Sequence, residues 1–121
     1  MAIDEINKID YIRISLKDNK VLILGIEDNY YNYKYLEQTE NQHLYLLQEK
    51  INTCSKYVTS KLYNNEFPNK TFDRFLIQIE FSYNITKECY NFLIRAKKLL
   101  KKANINITAS YIKYRRKTFF K

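Results

Sequence analysis

Leu44, Leu47, Ile51, Cys54, Val58 and Leu62 follow one another at alternating intervals of three and four residues. At 3.6 residues per turn, that spacing gathers them into one apolar stripe and predicts an amphipathic helix from Thr39 to Tyr63. Thr39 is placed to cap it, and Gln42 stands where the reciprocal partner of a capping box belongs. Asn64, Asn65 and Pro68 close the segment. Upstream, Ile12, Ile14 and Leu16 alternate with Tyr11, Arg13, Ser15 and Lys17, the period of a half-buried strand. After a polar turn at Asp18-Asn19-Lys20, Val21 to Ile26 is continuously apolar, so the pair reads as a β-hairpin with its second strand covered on both faces. Gly25, the only glycine, marks either a bulge or a close approach. Glu27 to Gln38 is a loop without a clean period.

Downstream, Phe75, Ile77, Ile79, Phe81 and Tyr83 alternate with Leu76, Gln78, Glu80 and Ser82, which predicts a strand. A second helix is expected from a Thr86 N-cap, with Glu88 favourable in its first turn. Its apolar stripe is Cys89, Phe92, Leu93, Ala96, Leu99, Leu100 and Ala103, and Asn104 can end it in a left-handed conformation. Ile105, Ile107, Ala109 and Tyr111 form a last alternating strand. The order β-β-α-β-α-β predicts an α+β fold: a two-layer sandwich with two helices on one face of a four-stranded mixed sheet. The unit from Phe75 to Tyr111 calls for a right-handed crossover between parallel strands. At 121 residues the chain is read as a single domain, 1–121, with a basic, aromatic tail from about residue 113.

Charge changes this picture. Residues 1–94 hold 11 Lys and Arg against 13 Asp and Glu, whereas residues 95–121 hold 10 cations and no acid. Ile, Lys, Asn and Tyr make up nearly half the chain and all have AT-rich codons, so their abundance says little. The absence of acids from the last stretch is not explained that way, and it points to a negatively charged partner. Cys54 and Cys89 read as small buried hydrophobes in a reducing compartment. No run has the length of a membrane span or a signal peptide, so a cytoplasmic location without membrane attachment is expected.

The segment His43-Leu44-Tyr45-Leu46-Leu47-Gln48-Glu49-Lys50-Ile51-Asn52 resembles a family of short bacterial proteins of unknown function. In that family a hairpin precedes an HLxLLQxKIN helix, and a strand, a helix with a Lys-rich end and a final strand follow. Such proteins resemble immunity or accessory proteins of bacterial competition systems. The resemblance implies no catalytic residue. The family's acidic loop before the helix is tyrosine-rich here.

Candidate chemistry is sparse. His43, the only histidine, reads as a surface or capping residue at the helix start, some three turns from Cys54 or Ser55. No metal-ligand spacing, glycine-rich phosphate loop or carboxylate pair stands out, so neither an enzyme nor a cofactor is expected. The candidate contact residues are Tyr30, Tyr31, Tyr33 and Tyr35 in the loop, and Lys97, Lys98, Lys101, Lys102, Lys113, Arg115, Arg116 and Lys117 on the basic face. The tyrosines are either interface anchors or covers of the sheet edge. The cations are a solvated helix end, a phosphate-tracking surface with Tyr111, Tyr114 or Phe119 stacking on bases, or the contact of an acidic protein such as a toxin. The first functional reading is therefore an immunity-type interaction module, and the alternative is a nucleic-acid-binding domain. A homodimer through a sheet edge or open face stays open.

Overall fold

The computed structural model describes residues 2–30, 37–114 and 117–121. Its strands are β1 (Tyr11–Ile14), β2 (Val21–Asp28), β3 (Arg74–Phe81), β4 (Ile105–Tyr111) and β5 (Lys117–Phe120). Its helices are α1 (Glu37–Thr59), the one-turn α2 (Tyr63–Glu66) and α3 (Lys87–Leu100). The strands pair in chain order, with β2, β3 and β4 parallel and β1 and β5 antiparallel at the edges. The expected α+β architecture with a mixed sheet is present, but the sheet has five strands rather than four. The extra one lies in the stretch read as a tail: Lys117-Thr118-Phe119-Phe120 pairs with β4 through an irregularity at Ala109/Ser110 and buries Phe120. Two adjacent phenylalanines give no period-two signal, and a bulge lets both pack without one.

Leu22, Leu24 and Ile26, Phe75 to Phe81 at every second position, and Ile105, Ile107 and Ala109 share one core cluster with Leu47, Ile51 and Cys54 of α1 and with Cys89 and Leu93 of α3. Both long helices thus lie on one face of the sheet, as their stripes require. Ile3, in a short 3-10 turn at Ala2–Asp4, is fully buried in that cluster, so the first turn of the chain is part of the core. Thr53 Oγ1 ties it to α1 by donating to the Ile6 carbonyl at 2.5 Å.

Element ends depart from the periodicity in several places: β3 stops at Phe81 and leaves Tyr83 exposed, and β2 runs on to Asp28. α1 begins at Glu37, so Thr39 lies inside the helix rather than at its cap. It ends at Thr59, where Lys61 takes a left-handed conformation (φ 59°) and the Lys61 and Leu62 amides bond back to Val58 and Tyr57. This Schellman closure turns Leu62 out of the stripe, leaving it 49% exposed. Likewise β1 stops at Ile14, and Leu16 stands 97% exposed in the turn. No helix among the described residues is long and apolar enough to cross a membrane.

The other sheet face carries Tyr11, Gly25, Gln78 and Thr108 in one row. Tyr11 lies across Gly25 and donates its hydroxyl to Glu80 at 2.8 Å. A Cβ at Gly25 would come within 2.1 Å of the Tyr11 ring, so this glycine serves a close approach rather than a bulge. Gly25→Ala must push the ring aside and break its bond to Glu80. A loss of about 1–3 kcal/mol is expected in urea unfolding, and most of it should vanish when Tyr11 is already alanine.

Candidate interaction surface

α3 is set by its ends. Thr86 Oγ1 accepts the Cys89 amide at 3.0 Å and donates to Glu40 Oε1 at 2.7 Å, joining the N-terminus of α3 to the first turns of α1. At the other end a 3-10 turn, Lys101–Ala103, leads into Asn104, which is left-handed (φ 60°, ψ 33°) as its position suggested. Cys89 and Leu93 are buried against the sheet. The lysines crowd the carboxyl end of α3, where they oppose the negative end of the helix dipole.

Lys97 and Lys101 meet Arg74 across a cleft of about 320 Å³, with Phe75 and Ile105 as its apolar floor and Asn104 and Asn106 on its rim. The cleft lies at the amino ends of β3 and β4. Arg74 is partly neutralised, bonded to Asp18 and 3.4 Å from Asp73. Lys97 donates to the Lys121 carbonyl and stands 5.5 Å from the centre of the Phe120 ring. Lys98, Lys101, Lys102, Lys113 and Lys117 make no ion pair among the described residues.

The basic residues do not form one patch. Lys97, Lys98, Lys101 and Lys102 lie before β4, whereas Lys113 follows it and Lys117 opens β5. The seven residues of β4 separate the two groups by roughly 20 Å. Of the aromatic residues nearby, Tyr111 and Phe119 pack edge to face at 4.3 Å and both lean on Phe81. Tyr114 is 56% exposed, with Lys113 over its ring. Tyr30 stacks on His43 with ring centres 5.0 Å apart. Tyr31, Tyr33, Tyr35, Arg115 and Arg116 lie outside the described residues.

The chain matches over residues 1–113 a family described only as a family of unknown function (DUF6572). The chain belongs to that family. No curated protein and no solved structure matches it.

Within this family member, the His43–Asn52 segment has a structural role that the sequence reading missed. His43 is buried, not a surface cap, and its Nε2 lies 2.5 Å from Asp28 Oδ2 at the end of β2. Lys50 is also fully buried, with Nζ 2.9 Å from Asp10 Oδ1. The second Asp10 oxygen accepts the Glu27 amide at 2.7 Å. The signal was present: His43, Leu47, Lys50 and Cys54 fall on one helical stripe, so both polar residues had to face inward. Gln48 and Asn52 face outward instead. Burial pushes the Cys54 thiol up to about 12, with Lys50 opposing and Asp10 adding to the shift. Burial likewise raises Cys89, helped by the Asp28 and Glu40 carboxylates. Both thiols stay protonated at neutral pH and make poor nucleophiles.

Proposed function

We propose that this protein is a non-enzymatic binding module that captures an acidic protein on the carboxyl end of α3, in the manner of a bacterial immunity protein blocking a toxin. The observation that supports it is the division of charge. Asp10, Asp18, Asp28 and Asp73 are engaged within the fold, while Lys98, Lys101 and Lys102 make no ion pair among the described residues. Cations left in this state attract a negatively charged surface from a distance and set its orientation on arrival. The amides of Asn104 and Asn106 beside Lys97 and Lys101 add neutral donors for a carboxylate.

The alternative, a nucleic-acid surface, draws on the same lysines, but two of the three aromatic residues proposed to stack on bases are occupied within the fold. Tyr111 and Phe119 pack on each other and on Phe81, and of these three candidates Tyr114 is the exposed one. Fluorescence anisotropy with mixed DNA and RNA at ~50 mM salt is expected to detect no binding. Affinity that falls with salt at a log–log slope of about −5, the signature of roughly six phosphate contacts, would establish the alternative instead. Affinity capture on the intact chain is expected to retain one stoichiometric acidic protein.

A further inference from the structure

On the opposite side of α3 from the basic cleft, a second depression of about 350 Å³ runs between α1 and α3. Ile51, Phe92, Ala96 and Leu100 form its floor. Gln48 and Asn52 of α1 form one wall, and Arg95 and Leu99 of α3 form the other. The helices meet at their amino ends through Glu40 and Thr86, and the groove opens further along their length. Leu99 had been expected in the core stripe, yet it is 68% exposed at this rim. An aliphatic side chain held in solvent beside an apolar trough gains burial only when something fills the trough.

We propose that this groove seats an acidic amphipathic helix of the partner protein; the inference rests on the acidic-partner reading above. The trough has an apolar floor and is walled by two helices, the form that receives a third helix through anchors at i, i+3, i+4 and i+7. Its charge selects the kind of helix. The α1 wall is neutral. The α3 wall carries Arg95 and is followed by Lys102, neither in an ion pair among the described residues. The one acid on this side of α3, Glu88, lies two turns before Arg95. A helix with leucines on its buried face and glutamates flanking them matches both surfaces. A lysine-flanked helix meets like charge.

The test uses the intact protein and two fluorescein-labelled peptides of about 20 residues. Both carry leucines at three- and four-residue spacing, one with flanking glutamates and the other with flanking lysines. The glutamate peptide is expected to bind more tightly and to shift the amide resonances of Gln48, Asn52, Arg95 and Leu99. Leu99→Glu should weaken it by at least about tenfold. Arg95→Glu should reverse the preference between the two peptides. Both positions are exposed, so unchanged melting curves will show that the variants fold. The proposal is overturned if the lysine peptide wins on the wild type, if the shifts fall elsewhere, or if Leu99→Glu changes nothing. It is also overturned if Leu99→Glu only abolishes self-association, since the occupant is then a second copy. Should Lys97→Glu with Lys101→Glu abolish capture of the acidic partner while Leu99→Glu leaves it intact, the groove is wrong and the binding module stands. Should wild type capture no acidic partner, both fall.

Discussion

Asp10→Ala is expected to destabilise the protein by about 3–5 kcal/mol, the cost of taking the opposite charge from a buried ion pair. Lys50 is fully buried and the Asp10 side chain is 3% exposed, so their attraction is little screened by water or salt. Lys50→Met should cost a similar amount by stranding the carboxylate. Combining Lys50→Met with Asp10→Leu should recover much of the loss, because removing both charges also removes their desolvation penalty. Recovery will be incomplete, since the Glu27 amide loses the Asp10 oxygen that now accepts it. Urea unfolding of the four proteins closes the cycle: the midpoints should shift with little change in slope. Equal and additive losses would show that the two side chains do not act as a pair.

Asp28→Ala is expected to cost about 2–4 kcal/mol. The carboxylate meets His43 at 2.5 Å through Oδ2 and accepts the Tyr30 amide at 3.1 Å through Oδ1. One substitution therefore removes the partner of a buried ring nitrogen and loosens the residue that stacks on that ring. His43→Leu keeps the apolar contacts with Tyr30 and Phe81 but leaves the buried carboxylate facing a hydrocarbon. It should lose a comparable amount, and the double change Asp28→Leu, His43→Leu should lose less than the sum. Thermal melts would register each single loss as a fall in Tm of several degrees. A melt within about one degree of wild type for either variant would mean that the pair contributes little.

The core was legible because its signal is periodic. Phe75 to Phe81 and Ile105 to Ala109 alternate, Cys89 and Leu93 sit on a helical stripe, and Thr86 caps that helix as its position suggested. What escaped was polar or irregular. His43 and Lys50 lie on the inward stripe of α1, but their partners, Asp28 and Asp10, belong to the hairpin and come close only when the sheet forms. No spacing rule links residues 15 or 40 positions apart. β5 was missed because two consecutive phenylalanines across a bulge imitate a disordered basic tail. Leu62 and Leu99 were placed inside on periodicity alone; one is turned out by the left-handed Lys61, and the other lies at the rim of the groove between the helices. The basic residues of the last stretch could be counted in the sequence. Their separation into two groups depends on β4 running between them.

Calorimetric titration of the captured partner into wild type and into the Lys97→Glu, Lys101→Glu variant tests most directly whether the cationic end of α3 is a binding surface. Charge reversal is expected to cost about a hundredfold in affinity, wild-type binding should weaken with added salt, and the free variant should still melt as a folded protein. Equal affinity for the two proteins, at low and at high salt, would contradict it.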